Sequence, residues 1–482
     1  MVLREAPGSS LRWIAVVGVV AGASCGPIRI DDPIGELGAA RANPRRQMAA
    51  MEVLDGGPTE PAYLQQLHQM VWRPGYALRV REEALERLER HDLEGLKRTI
   101  RQRLPRLASW PWLRRLCEIV ADRGWVELTP ALVSSWARAT AVVRQETERP
   151  EYQALARLHG EARVADVVFE VFLESRKVHQ QGLRTRCWEL LHRIGQRDRL
   201  VDLLGDAPVA PGDAMLGDLR AGAVDFGIVP YRREEILWLR RLREPQWAGF
   251  WSQAKLAVMA LGPSRRGGLQ MRDLPIVVSA WRHDPELMSL TCDELYQRVA
   301  TYLRGQRHHA HRSSYDTSRG ASRLRESRDR LTWGDLAAMA IAVRALAVPE
   351  VIDHLFDYAE RDRLDESTEY GGVLRLDGQG RFEIVEFPPR IREHDHKFIA
   401  SQDMFDAGYT SLFHFHFHVQ HFRNNRYAGP ALGDMTYAEA TRANCLVLTY
   451  VGRRTLNVDF YRHGSVVVDL GEIERRSDGV TK

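Results

Sequence analysis

Apolar residues recur at helical spacing over the first two thirds of the chain, and the period shortens to two only after residue 371. Val80, Ala84, Leu85 and Leu88, then Leu93, Leu96 and Ile100, fall on single helix faces. Leu113, Leu116, Ile119 and Val120 repeat the pattern, as do Val164, Val167, Val168, Val171 and Phe172, and later Cys187, Leu190, Leu191 and Ile194. Breaks fall at Pro105, Gly124, Pro130, Pro150, Gly160, Gly182 and Gly205. Helix pairs at this spacing predict either a HEAT-like helical repeat or an irregular bundle over residues 61–303, and the pattern leaves both open. Either form offers a docking surface, and nothing in the region converges chemically.

Beyond residue 331 the pattern changes. Residues 333–346 and 351–359 read as helices, followed by strands at 372–376, 382–387, 411–419, 445–451, 456–461 and 465–470. Helices first and then strands interrupted by a helix predict an α/β domain with a curved mixed sheet over residues 331–482. Between the two regions, residues 304–330 hold His308, His309, His311 and many Arg with few apolar positions. That composition reads as a solvated basic linker, with Asp316, Glu326 and Asp329 diluting the positive field.

At 482 residues the chain exceeds one ordinary core. A net charge of +4 leaves no general basic field, so no nucleic-acid partner is expected. Residues 1–25 carry Arg4 and Arg12, an apolar run at 13–21, and small residues before Cys25. The run is about half the ~20 residues that span a bilayer. The segment resembles a bacterial lipoprotein signal, although Gly22 stands where an aliphatic residue is usual. The resemblance implies export to the cell envelope and a lipid anchor on Cys25, and Pro27, Pro33, Pro44, Pro58 and Gly56-Gly57 with little periodicity read as a flexible tether over 26–60. The other cysteines, Cys117, Cys187, Cys292 and Cys445, form no C-x-x-C pair and read as buried small side chains.

The candidate chemistry lies in the last region. His414, His416 and His418 alternate with Phe413, Phe415 and Phe417, so a strand presents the imidazoles on one face and the rings on the other. Glu369 precedes Tyr370, Gly371 and Gly372, and Asp434 follows Gly433 as the expected cap of a helix over 434–443. Two imidazoles and one carboxylate leave a fourth position open on a tetrahedral zinc ion. Alone, a His-x-His pair is weak, since an alternating strand can equally be an edge with a polar face.

With those residues in that order, the final ~130 residues resemble the JAMM/MPN zinc isopeptidase domain, whose elements are Glu-x-x-Gly, His-x-His and Ser-x-x-Asp. The resemblance implies zinc held by His416, His418 and Asp434, with His414 as an alternative ligand and Glu369 as general base. It implies hydrolysis of an amide or isopeptide bond in a protein or cell-envelope substrate docked on the helical region. Ala431 replaces the family's serine, and no proline follows the histidines. A scaffold lipoprotein with a catalytically degenerate domain of this kind is the alternative expectation.

Overall fold

A computed structural model of the chain describes residues 29–138, 145–205, 213–309, 323–387, 389–392 and 398–476. Cys25 and the expected signal lie outside these residues. Contacts divide the chain into two compact units, Met1–Glu161 and Ala162–Lys482. Among the described residues, no helix is long and apolar enough to cross a membrane.

The first unit is helical, and part of the expected tether is packed rather than flexible: Pro33–Gly38 and Pro44–Asp55 are helices that bury Leu37, Ala50 and Met51, because proline suits a helix's first turn. Pro61–Trp72 packs on Leu78–His91, and the expected stripe of Val80, Ala84, Leu85 and Leu88 is buried. Leu93–Arg103 ends where Pro105 enters a 3-10 turn, since proline cannot donate to the preceding helical turn. Trp110–Asp122 follows, with Pro111 in its first turn, where a missing N–H costs nothing.

The second unit combines helices with one six-stranded sheet. Its strands are β1 (Gly371–Leu376), β2 (Phe382–Phe387), β3 (Phe413–His418), β4 (Cys445–Gly452), β5 (Thr455–Arg462) and β6 (Val466–Glu474). The spatial order is β2-β1-β3-β4-β5-β6. Only β3 and β4 run parallel, because the helix Leu432–Thr441 carries the chain back between them. Phe413, Phe415 and Phe417 point to one face, where Tyr358 of the helix Pro349–Leu364 meets Phe415 and Phe417 edge-on. The helices Gln402–Gly408 and Leu432–Thr441 cover the histidine face through Met404, Tyr437 and Ala438. All six residues of β3 are therefore buried.

Composition groups the helices before residue 304 with the first region, yet those from Val164 onward share a compact unit with the sheet. The joint is ionic. Asp335, in the first turn of the helix Trp333–Ala345, accepts from Arg272 at 2.8 Å and from Arg462 of β5 at 2.8 and 2.9 Å. All three side chains are buried. Burial pushes the Asp335 carboxyl up, but the two guanidiniums override it and hold it well below the usual range. The start of the expected basic linker is also docked: His309 bonds Glu472 through its ring at 2.7 Å and Asp469 through its N–H at 2.8 Å. Of the cysteines, Cys117, Cys187 and Cys445 are buried, whereas Cys292 is exposed as the first residue of the helix Cys292–Arg304, contrary to expectation.

Asp335→Ala strands the buried Arg462 guanidinium without a carboxylate and leaves Arg272 only Asp273 at 3.7 Å, and breaking a buried pair commonly costs ~3–5 kcal/mol. Urea unfolding followed by tryptophan fluorescence should show the transition of the sheet-bearing unit at clearly lower denaturant. An unchanged midpoint would show that the cluster does not hold the unit together.

Candidate metal centre

A strand places residues two apart on one face, and in β3 that geometry turns the His416 and His418 rings toward a common point. Their Nε2 atoms are 3.3 Å apart. Asp434 reaches the same point from the helix Leu432–Thr441, with Oδ1 3.1 Å from His416 Nε2 and Oδ2 3.4 Å from His418 Nε2. Zinc bonds of ~2.0–2.1 Å in a tetrahedron put neighbouring ligand atoms roughly 3.3 Å apart. The imidazole separation matches that edge, each imidazole has a different Asp434 oxygen at 3.1 or 3.4 Å, and the donors are borderline nitrogen and hard oxygen of the kind zinc accepts. Among the described residues these three are the cluster of His, Cys, Asp and Glu able to share an ion.

The surroundings fix each of these side chains. His418 Nδ1–H donates to the Tyr427 carbonyl at 3.0 Å, which leaves the neutral ring's Nε2 lone pair facing the centre. His416 Nδ1 faces the Tyr461 hydroxyl at 3.5 Å. The Ala431 backbone N–H donates to Asp434 Oδ2 at 2.7 Å. The helix starts earlier than expected: Ala431 is its N-cap and Asp434 its third residue rather than its cap. An N3 carboxylate normally forms half of a capping box, and alanine has no oxygen to return the other half.

Glu369 lies just before β1. The β1–β3 register pairs Gly371 with His416, and continuing it by two residues sets Glu369 opposite His418 on the same face. Glu369 is buried, and its charge contributes to raising the His418 pKa. Gln420 Nε2 donates to Glu369 Oε1 at 3.4 Å, and Asn424 Nδ2 in turn donates to Gln420 Oε1 at 2.9 Å and to the His418 carbonyl at 3.2 Å. Sequence reasoning missed Gln420 and Asn424, whose one signal is their position directly after the histidine strand. The two glycines after Glu369 have a steric reason. A Cβ on Gly371 would lie 2.7 Å from the Phe415 carbonyl oxygen, and one on Gly372 would lie 2.1 Å from that of Val385.

His414 stays outside the cluster. Its Nδ1 bonds the Tyr437 hydroxyl at 2.7 Å, its Nε2 has no partner among the described residues, and a Cβ on Gly408 would lie 2.1 Å from that nitrogen. Burial lowers its pKa to about 4, so it is a neutral core side chain. On the other side of the centre the same face carries a polar row. His418 pairs with Thr449 and Thr449 with Asn457, while Asp459 pairs with Asp469. Burial, and then Asp469, push the Asp459 carboxyl well up.

Charge at the centre is shared in the metal-free protein. Burial alone would lower the His418 pKa, but the hydrogen bond and charge of Asp434 raise it to about 9. The Asp434 carboxyl, pushed up by burial, is held far below its usual range by both imidazoles. Because the folded pKa of His418 exceeds its unfolded ~6.5, this pair stabilises the metal-free fold below pH ~6.5, and the contribution is lost as pH rises through about 9. Histidine-selective NMR of the metal-free protein should find His418 titrating near 9. In Asp434→Asn, burial dominates and the value should fall below the ordinary 6.5. A value still above 7 in that variant would refute the pairing.

Comparison with family models, with curated proteins and with solved structures finds no match for this chain, so the centre is read from its own residues and distances.

Proposed function

We propose that this chain is a zinc-dependent hydrolase of JAMM/MPN type that cleaves an amide or isopeptide bond. The observation that carries the reading is the convergence of His416 Nε2, His418 Nε2 and the Asp434 carboxylate at 3.1–3.4 Å, with Glu369 on the same face of the sheet. His416, His418 and Asp434 would hold the ion. Bound zinc supplies Lewis acidity that polarises a carbonyl and makes water acidic enough to ionise near neutral pH. Glu369 acts as the general base, taking a proton from the attacking water and returning it to the leaving amine. Gln420 keeps the Glu369 carboxylate turned inward, and the Tyr427 carbonyl keeps His418 in the ligand tautomer.

Ala431 limits the rate. A hydroxyl at that position would stand ready to donate to the developing oxyanion, and losing one such donor costs ~10²–10³-fold in turnover. The same alanine favours a second reading, a scaffold whose metal domain no longer turns over. In either reading we place the protein at the cell envelope, exported and anchored through lipid on Cys25, with a protein or cell-envelope substrate docked on the helical region.

The purified full chain should carry about one zinc per molecule by elemental analysis, as a single four-coordinate site requires, and His418→Ala should lose it. A native protein that neither contains nor takes up zinc would remove the proposal. Glu369→Gln should keep the metal and lose ~10²-fold or more of the hydrolysis of a peptide-amide panel. Equal turnover in the two proteins rejects Glu369 as the base, and a zinc-loaded parent without turnover selects the scaffold reading.

Ala431→Ser has two separable outcomes. It should complete the capping box and stabilise the protein by ~1 kcal/mol. If the missing donor limits turnover, the rate should also rise by ~10-fold or more. A stabilised variant with unchanged turnover would show that the position has no part in the chemistry.

A further inference from the structure

The first compact unit contains a groove of about 870 Å³ that no part of the proposed chemistry uses. It runs between the end of the helix Pro61–Trp72, the start of Leu78–His91 and the turn before Trp110–Asp122. Its lining includes Arg81, Arg103 and Arg106 and not one Asp or Glu. Trp72, Tyr76 and Leu78 contribute apolar wall.

Arg81 is the unusual member. It is 5% exposed, yet among the described residues it has no ion-pair partner. The acids beside it in sequence are committed elsewhere, Glu82 to Arg115 and Glu83 to Arg87. One Nη donates to the Arg73 carbonyl at 2.7 Å, at the C-terminal end of the preceding helix, and the guanidinium lies 5.6 Å from the centre of the Trp112 ring. These contacts hold the group rigidly without neutralising it, and its Nε is buried without a partner. Burial lowers its pKa, and no carboxylate opposes that. The Trp72 indole N–H is likewise buried and unpartnered. An uncompensated buried cation is expensive, and a guanidinium that lines the groove with no carboxylate opposite it suits an oxyanion. Arg103 and Arg106, both exposed, extend the positive field at the rim.

We infer that this groove binds a phosphate monoester carried on an apolar body, with Arg81 at its floor, Arg103 and Arg106 at its rim, and Trp72 and Leu78 against the apolar part. A dianion answers three guanidiniums better than a monoanion, and the aromatic wall gives the remainder of the ligand a dry surface. The same chemistry comes from a soluble phosphate ester or from a lipid headgroup.

Calorimetry on the full chain tests this with phenyl phosphate, inorganic phosphate, benzoate, and vesicles of phosphatidylcholine with and without phosphatidic acid. Phenyl phosphate should bind ~10-fold or more tightly than inorganic phosphate or benzoate, since each lacks one half of the recognised chemistry. Binding of the phosphatidic acid vesicles but not of phenyl phosphate assigns the site to a lipid headgroup, and binding of neither probe overturns the inference. Arg103→Ala with Arg106→Ala should weaken binding ~10-fold or more while leaving the unfolding midpoint unchanged, because both side chains are exposed. Unaltered affinity in that variant also overturns it. Arg81→Met should abolish binding and leave the ligand-free midpoint equal or higher, as removal of an unpaired buried charge requires. A lowered midpoint would mark Arg81 as a structural cap of the preceding helix and sink the proposal.

Discussion

A strand that is hydrogen-bonded along both edges and buried on both faces has no freedom to choose which residues share a side. β3 is such a strand, placed between antiparallel β1 and parallel β4. Phe415 and Phe417 meet Tyr358 and Phe413 meets Phe460 on one face, which leaves the imidazoles no orientation except toward the helix Leu432–Thr441. A slip of one residue would exchange every ring for an imidazole and empty both layers of their packing. The convergence of His416, His418 and Asp434 follows from that register, and so does the position of Glu369.

Three histidines at identical spacing have three different fates, and neighbours decide among them. His414 meets a tyrosine hydroxyl and a glycine and becomes a neutral core group. His418 meets a carboxylate and carries a proton far above the usual range in the metal-free protein. His416 shares Asp434 with His418. A metal at the proposed site would have to displace a proton from His418, so affinity for it would depend on pH below about 9.

Much of this was legible in the chain. Period-two alternation placed β3 at 411–419, against the observed Phe413–His418, and the other strands came within a few residues. That signal is strong because both faces of the sheet are filled. The start of the helix bearing Asp434 was misjudged because aspartate favours both the N-cap and the third position, and Ala431 gives no capping signal. The joint between the early helices and the sheet was invisible for a different reason. Arg272, Asp335 and Arg462 lie far apart in sequence, and paired buried charges look in composition like surface. Gln420 and Asn424 carried no pattern at all, since an amide that orients a carboxylate resembles any loop amide.

Asp434 serves two masters. One of its oxygens accepts the N–H of the residue that opens its helix, and the same oxygen faces His418. In the proposed metal site an ion would share the Asp434 carboxylate with the first helical turn, so fraying of that turn would weaken its hold on the ion. Local order at one end of a ten-residue helix and occupancy of the proposed centre would thus be linked.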